Sequence, residues 1–241
     1  MIEFQNVSFA YEKGKPVLTD LSFHIKKGEA VGLIGANGAG KSTVMKLLLG
    51  LLSGEGKILV DGLKLDRANL AEIRRKLGFV LQNSDNQMFM PTVYEDMMFA
   101  PLNYGLTREE AEKHVDAALE RLGLMALKYR HNHKLSGGEK RMAAIATILA
   151  MDPEAVLMDE PSSALDPYNR RVIINTIRSL KQTKLITSHD LDMILDTCDR
   201  VILLSNGHIA ADGPAEKLLR DRDLLEANHM ELPLRFWQAS E

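Results

Sequence analysis

The chain has little of several features that mark whole classes of protein. Cys198 is the single cysteine among 241 residues, so an internal disulfide is excluded and the count fits a reducing compartment. No apolar run approaches the roughly 18–20 residues that span a bilayer, and the longest candidate, residues 142–151, is about half that length. The N-terminus also lacks the basic-then-apolar build of a signal peptide. We therefore expect any link to a membrane to come through a partner.

An excess of basic residues is also missing. The chain has 30 Lys and Arg against 33 Asp and Glu, which gives a formal net charge of -3. Nucleic-acid-binding domains usually have a basic balance, so we expect no nucleic-acid partner. The length allows one large α/β domain, or one core with a smaller subdomain.

Short apolar segments alternate with helical ones at both ends of the chain. Strands are predicted at residues 2–10, 17–25, 29–34, 56–61, 78–81, 155–158, 184–187 and 200–204. Helices are predicted at residues 41–51 and 168–180, and a charged helical tail follows Pro214. Residues 92–151 have helical periodicity instead. This pattern predicts a parallel α/β core interrupted by a helical insertion.

A glycine-rich loop, GANGAGKST, separates a buried strand from a helix. Its key positions, Gly35, Gly40, Lys41 and Ser42, fill the pattern of a phosphate-binding loop. Glycines allow backbone N–H groups to point inward at an anion, and the following helix adds its positive end. A glycine-rich turn that arose by chance would not be expected between an apolar strand and a helix. The residues predicted to bind ATP here are Gly35, Ala36, Asn37, Gly38, Ala39, Gly40, Lys41, Ser42 and Thr43.

Two acids end the apolar strand at residues 155–158. Asp159 stands where P-loop enzymes place an acid near Mg²⁺, together with the hydroxyl of Ser42. Glu160 follows and can polarise an attacking water. The alternative is a solvated acidic turn, which the phosphate-binding loop elsewhere in the chain disfavours.

A second candidate anion site is the sequence LSGGE at residues 135–139. Ser136, Gly137 and Gly138 precede an apolar helix, whose N-terminus favours negative charge. The alternative is a simple capping box, with Ser136 as cap and Glu139 as its partner. One nucleotide needs one such cradle within a chain, so a second suggests that two chains share nucleotides.

With these motifs the chain resembles the ATP-binding-cassette (ABC) ATPases over nearly its whole length. The family's signature is usually LSGGQ, and Glu139 departs from it at the last position. The resemblance implies a P-loop NTPase core with a mostly parallel sheet, an N-terminal antiparallel β subdomain and an inserted helical subdomain. The core would comprise residues 1–82 and 152–241, and the helical subdomain residues 83–151.

Four further residues match family positions in the family's order. Tyr11 matches the aromatic residue that stacks on adenine, although a core tyrosine of a β-hairpin is the alternative. Gln82 matches a glutamine that contacts Mg²⁺ and water, and His189 a histidine that contacts the γ-phosphate. Asp166 matches the acid of a loop that crosses the dimer interface.

The resemblance implies that two cassettes close head to tail around ATP and Mg²⁺. The residues that it assigns to catalysis are Lys41, Gln82, Glu160 and His189, with Ser42, Gln82 and Asp159 at the metal. The residues that it assigns to the ATP of the second chain are Ser136, Gly137, Gly138, Glu139 and Asp166. Closure would be driven by ATP, and water would attack the γ-phosphate.

Residues 83–106 are similar to the matching stretch of the energy-coupling-factor and cobalt-type ATPases, which power import of vitamins and transition-metal ions. In those importers the stretch faces a transmembrane coupling subunit, which connects the ATPase indirectly to a substrate-binding membrane protein. The resemblance thus implies a peripheral location on the cytoplasmic face of the membrane and a homo- or heterodimer of ATPase subunits. Met88, Phe89 and Met90 could either dock the partner or fill the core.

Several alternatives stay open at this point. Ser163-Ala164 departs from the Ala-Gly that often precedes Leu165-Asp166 in that subgroup, so another ABC transporter class is possible. A soluble cassette of the iron–sulfur assembly type is a further alternative, whereas repair and translation cassettes need insertions or duplications that are absent here. No complete set of metal ligands forms around His114, His131 and His133, so the pattern favours a solvated loop over a metal site. Residues 190–200 predict an amphipathic helix rather than a calcium loop.

Overall fold

The structure is a computed structural model that describes residues 1–237. These residues form two compact units, one made of Met1–Arg74 and the segment from Lys181 onward, and the other of Arg75–Leu180. The predicted subdomain boundaries after residues 82 and 151 stay a prediction. Within residues 1–237, no helix is long and apolar enough to cross a membrane.

The first unit contains two sheets. An antiparallel sheet has the order β2-β1-β4-β5, formed by β1 (Ile2–Glu12), β2 (Lys15–Ile25), β4 (Glu55–Val60) and β5 (Leu63–Lys64). A second sheet places β3 (Ala30–Ile34) between the parallel strands β8 (Thr183–Thr187) and β9 (Arg200–Ser205), with β10 (His208–Pro214) antiparallel at its edge. All five residues of β3 and all five of β8 are buried, as expected for strands that are covered on both faces.

The helices of the first unit are short. They are α1 (Lys41–Leu48), α7 (Leu191–Thr197), α8 (Ala215–Leu218) and α9 (Arg222–Ala227), and α2 (Leu70–Lys76) crosses the chain boundary between the units. The prediction that the first helix reaches residue 51 was wrong. Helix α1 stops because Gly50 takes a left-handed conformation (φ +64°) and its N–H bonds back to Leu47. The charged tail contains α8 and α9, as predicted, while residues 238–241 lie outside the described part.

The second unit combines two parallel strands with four longer helices. Strand β6 (Leu77–Val80) pairs with β7 (Ala155–Asp159), and the helices are α3 (Val93–Asn103), α4 (Arg108–Leu122), α5 (Gly137–Leu149) and α6 (Pro167–Ser179). Three of the helices begin with a reciprocal capping box, in which a hydroxyl side chain and a glutamate three residues later bond each other's backbone N–H. The pairs are Thr92 with Glu95, Thr107 with Glu110, and Ser136 with Glu139.

Every predicted strand is present within two residues at each end, and the mixed α/β fold with an antiparallel N-terminal sheet and a mostly parallel second sheet is confirmed. Strand β10 and the short elements β5 and α2 were not predicted. The sequence carries a signal for β10: Asn206-Gly207 connects it to β9, with both residues at positive φ. Asn-Gly between two apolar runs is a strong hairpin signal.

Candidate functional site

The glycine loop of the first unit lies between the buried strand β3 and helix α1. Gly35 has φ +149°, and a Cβ atom added there would stand 2.3 Å from the carbonyl oxygen of Leu204. Gly40 has φ +106° and would bring a Cβ atom to 2.5 Å from a methyl carbon of Leu18. Both positions therefore require glycine, for backbone conformation and for space. Asn37 and Gly38, at the tip of the loop, are exposed.

The lysine of this loop is held inside it. Lys41 is only 8% exposed, and its ammonium group donates hydrogen bonds to the carbonyl oxygens of Gly35 at 2.7 Å and Ala36 at 3.1 Å. Ser42 follows as an exposed residue in the first turn of α1. A loop of backbone N–H groups, a lysine and a hydroxyl at a helix N-terminus is the donor set that suits a polyphosphate with Mg²⁺.

Two more predicted residues lie near this loop in the first unit. Strand β8 is parallel to β3, with Leu33 opposite Thr187, so the exposed His189 leaves the sheet at the same edge as Gly35. Tyr11 is 57% exposed at the end of β1, and its hydroxyl lies 3.4 Å from that of Thr43 in α1. Tyr11 is thus not a core residue, and its exposed ring remains available for a flat ligand.

The two acids lie in the second unit, at the carboxyl end of strand β7, which pairs with β6. Asp159 is the last residue of β7, and Glu160 follows it in a left-handed conformation (φ +48°), uncommon for a residue with a side chain. In the register of the parallel pair, Val80 lies opposite Met158, so Gln82 leaves β6 at the same edge. The structure therefore brings three of the predicted residues to one edge of this strand pair.

The segment that carries Gln82 is held in place by hydrogen bonds with Arg141 and Gln87. Arg141 is 5% exposed and donates to the backbone carbonyl oxygens of Leu81 at 2.9 Å and Gln82 at 2.6 Å. Gln87 accepts from the N–H of Leu81 at 3.0 Å and donates to an α5 carbonyl. A charged residue at the start of the apolar part of helix α5 was a signal for Arg141, because burying a charged group is costly unless hydrogen bonds compensate it.

The LSGGE segment forms the start of helix α5. Ser136 is the N-cap, its hydroxyl accepts from the N–H of Glu139 at 3.3 Å, and the Glu139 carboxylate accepts from the N–H of Ser136 at 2.8 Å. The capping box that the sequence offered as an alternative is therefore present. Ser136 and Gly137 are nevertheless exposed, so capping leaves this surface open to another molecule.

Helix α6 approaches the same turn through Asn169. Asp166 caps α6 by accepting from the N–H groups of Tyr168 and Asn169, and its second oxygen accepts from the Asn169 side chain at 2.5 Å. These hydrogen bonds, with the backbone N–H of Asn169 first, lower the pKa of Asp166. A Cβ atom at Gly138 would stand 2.2 Å from Oδ1 of Asn169. The absence of a side chain at Gly138 therefore allows helix α6 to pack this close.

An exposed groove with a mostly apolar wall lies in the second unit, lined by residues between Met90 and Arg108. It has a volume of about 380 Å³, and its wall includes Met90, Tyr94, Met98, Phe99, Leu102 and Arg108. Phe89 is 61% exposed and meets Phe99 edge to face, with the ring centroids 5.0 Å apart. Met88, by contrast, is buried. The structure therefore divides the two interpretations of this stretch: Met88 fills the core and Phe89 faces outward.

A buried carboxylate, that of Asp96, holds the backbone of Phe89 and Met90 next to this groove. Asp96 accepts from the N–H groups of Phe89 and Met90, each at 3.1 Å, and from the side chain of Asn132. Burial raises the pKa of Asp96, and these hydrogen bonds oppose the shift. Asp96 belongs to the stretch that is similar to the importer ATPases, whereas no motif of the sequence indicated Asn132.

The three histidines do not form a metal site. The rings of His131 and His133 lie with their centroids 5.4 Å apart, and His114 lies instead beside the carbonyl of Ala150. Across residues 1–237, no group of three or more His, Cys, Asp or Glu residues is placed to hold a metal ion.

Comparison with known proteins places the chain in one family. The ABC transporter family model matches residues 18–163. The chain is 46% identical over 236 residues to an ABC transporter ATP-binding protein of Streptomyces coelicolor, which covers 98% of this chain and 91% of that one. It is 41% identical over 239 residues to the energy-coupling factor transporter ATP-binding protein EcfA of Methanothermobacter thermautotrophicus, covering 97% and 77%.

Solved structures agree with these relatives. CbiO1 of Clostridium perfringens, part of the ABC transporter complex CbiONQ, matches with a TM-score of 0.84 at 32% identity, covering 94% of this chain and 93% of that one. The dimeric post-hydrolysis state of the cassette MJ0796, bound to ADP and Pi, matches with a TM-score of 0.78 at 29% identity, covering 89% and 99%. The phosphate-binding loop, the paired carboxylates and these similarities together show that the chain belongs to the ATP-hydrolysing ATPases of the ABC transporter family.

Proposed function

We propose that this chain is the ATP-binding and ATP-hydrolysing subunit of a membrane importer of the energy-coupling-factor type, for a vitamin or a transition-metal ion such as cobalt. The observation that carries the subgroup is the exposed apolar groove that Phe99 lines, with the exposed Phe89 packed against Phe99, within the stretch that is similar to those importers. The similarity to EcfA and CbiO1 supports the same assignment. The subunit would lie on the cytoplasmic face of the membrane as a peripheral protein.

The roles of the residues follow from their chemistry. Lys41 binds the β- and γ-phosphates as a point charge, while the backbone N–H groups of residues 35–43 orient them. Ser42, Gln82 and Asp159 are the residues that would hold Mg²⁺, which when bound would supply positive charge to neutralise the phosphates. The donor set fits, because it consists of hydroxyl, amide and carboxylate oxygens, which Mg²⁺ prefers.

Hydrolysis needs an activated water. Glu160 orients the water and accepts its proton, and His189 stabilises charge on the γ-phosphate. Tyr11 stacks on the adenine ring through its exposed face. In a head-to-tail pair of cassettes, the ATP of one chain meets Ser136, Gly137, Gly138, Glu139 and Asp166 of the other. The proposed transporter thus contains a second ATPase chain, identical or related to this one.

The groove is the proposed dock for the transmembrane coupling subunit. Phe89, Phe99 and Leu102 are at least 42% exposed, and a contiguous apolar surface of this kind is typical of a protein interface. Aromatic and methionine side chains are enriched in such interfaces. The coupling subunit would transmit closure of the cassettes to a substrate-binding membrane protein.

Reconstitution tests this function directly. We expect the chain, co-expressed with the membrane proteins encoded beside it, to form a complex that takes up a vitamin or metal ion into vesicles when ATP is supplied. Phe89→Ser with Phe99→Ser should reduce membrane recovery, whereas Leu51→Ser, at an exposed leucine of the other unit, should not. ATP-dependent export would favour another transporter class. A chain that stays soluble with cluster-assembly proteins would contradict a transport function.

A further inference from the structure

The acidic residue at the end of the signature segment has an ion-pair partner. Nη1 of Arg130 lies 2.7 Å from Oε1 of Glu139, while the other carboxylate oxygen, Oε2, accepts from the N–H of Ser136. Arg130 also donates through Nη2 to the carbonyl oxygen of Lys134 at 2.8 Å. One guanidinium group thus connects the start of helix α5 to the turn that precedes it.

The backbone of Arg130 is itself anchored. Its carbonyl oxygen accepts from the N–H of Val93 at the start of α3, and the next residue, His131, pairs with Thr92. The guanidinium group therefore extends from a fixed backbone position, and its planar fork loses less side-chain entropy per hydrogen bond formed.

Glu139 is charged at neutral pH. The backbone N–H of Ser136, the Ser136 hydroxyl and the nearby Arg130 all favour the carboxylate and lower the pKa of Glu139. A negative charge at this place is favourable for the helix N-terminus, but it repels the phosphates of an ATP that approaches the same turn. The neighbouring cation Lys140 is engaged elsewhere, because its ammonium group contacts Asp85.

We propose that Arg130 is a charge-compensating and positioning residue of the signature turn. It cancels the negative charge of Glu139 and holds that carboxylate in the capping box, so that the ATP of the second chain meets a neutral surface. This inference rests on the proposed function, since it requires that ATP draws two chains together at Ser136.

Dimerisation tests the proposal most directly. The reference is the full chain carrying Glu160→Gln, for which we expect a dimer in Mg-ATP by sedimentation or size exclusion. Adding Arg130→Gln should weaken the ATP-dependent dimer by roughly three- to tenfold, the scale of a charge pair at an interface. Arg130→Lys should restore most of the affinity. The deficit should shrink in high salt, because the repulsion is then screened.

Glu139→Gln distinguishes charge compensation from a simple tether. Glutamine keeps an acceptor for the N–H of Ser136 but removes the charge. If Arg130 compensates charge, Glu139→Gln weakens the dimer less than Arg130→Gln does, and adding Arg130→Gln in that background costs no further affinity. If the pair only ties the turn together, breaking it from either end weakens the dimer equally, and the proposal is overturned.

The matched control is Lys113→Gln. It removes one positive charge from an exposed ion pair with Glu109 on helix α4. The net charge of the chain therefore changes by the same amount as in Arg130→Gln. An equal loss of dimer with this variant would also overturn the proposal, because bulk charge would explain the effect. If the reference chain forms no dimer with Mg-ATP, the proposed function itself fails and this inference falls with it. If the reference dimerises and Arg130→Gln behaves identically, only the inference fails.

Discussion

The ammonium group of Lys41 lies 2.7 Å from the carbonyl oxygen of Gly35, the first glycine of its own loop. The same group bonds Ala36, so the lysine charge is held against the backbone that precedes it. A buried ammonium group needs such acceptors, because burial without hydrogen bonds is costly. The loop therefore keeps its positive charge in place at the start of α1, where a phosphate would also meet the helix N-terminus.

Replacing this lysine should weaken ATP binding without unfolding the protein. We expect Lys41→Ala to raise the Kd for Mg-ATP by roughly 10- to 100-fold, since a charge-assisted hydrogen bond is worth about 1.5–3 kcal/mol. Titration calorimetry measures the change. Lys46→Ala is the control, because Lys46 lies exposed in the last turn of the same helix. Equal affinity of the Lys41→Ala variant would contradict the assigned role.

The carboxylate of Glu160 is assigned to water activation, so its amide analogue should separate binding from turnover. We expect Glu160→Gln to retain ATP, to lower kcat by about 10² or more, and to accumulate as a dimer. Phosphate release and sedimentation in Mg-ATP check the two parts. Glu109→Gln, at an exposed surface glutamate, serves as the control. Unchanged turnover of the Glu160→Gln variant would refute the role.

The two glycines of the signature segment should respond differently to a methyl group. Gly137 faces open space, whereas a Cβ atom at Gly138 would meet the Asn169 side chain. Gly138→Ala should destabilise the fold by about 1–3 kcal/mol through overpacking, and Asn169→Ala should relieve part of that loss. Gly137→Ala should leave the Tm within a few degrees yet reduce ATP-dependent dimerisation. Thermal unfolding and sedimentation distinguish the two, and equal Tm losses would contradict the assigned geometry.

Asp96 should matter for stability more than for nucleotide binding. Removing its carboxylate leaves the buried N–H groups of Phe89 and Met90 without their acceptor, so we expect Asp96→Ala to cost about 2–4 kcal/mol. Asp96→Asn, which keeps one acceptor oxygen, should cost less. Denaturant unfolding gives both values. A cost for Asp96→Ala no larger than that of an exposed carboxylate, such as Glu109→Ala, would show that the network contributes little.

The exposed ring of Tyr11 offers a test of adenine stacking. Tyr11→Ala should raise the KM for ATP by roughly two- to tenfold, because an aromatic stack is worth about 0.5–1.5 kcal/mol. Tyr11→Phe should retain most of the affinity, since the ring is preserved and only the contact with the Thr43 hydroxyl is lost. If both variants bind ATP equally well, the ring does not contribute to recognition.

Much of the fold and of the site could be predicted because the signals are local. The phosphate-binding loop is contiguous in sequence, and several of its glycines have backbone angles that favour glycine. An apolar run marks the strand before the loop, and a helix follows it. Ser136 with Glu139 was likewise visible as a capping pair three residues apart. Strand β10 escaped prediction although Asn206-Gly207 marked its hairpin.

The supporting residues were decided by tertiary structure. Arg141 holds the carbonyl of Gln82 across a separation of 59 residues, and Asn132 reaches Asp96 across 36. No local pattern encodes such pairs, because side-chain hydrogen bonds between distant segments depend on how the helices pack. The sequence by itself determined the glycine loop, the capping pairs and the strands with period-2 or buried apolar runs, and it predicted which residues bind a triphosphate and polarise water. Only the folded chain decided that Phe89 faces outward, that Met88 is buried, and that Arg130 meets Glu139, because burial and charge pairing arise when segments that are distant in sequence come together.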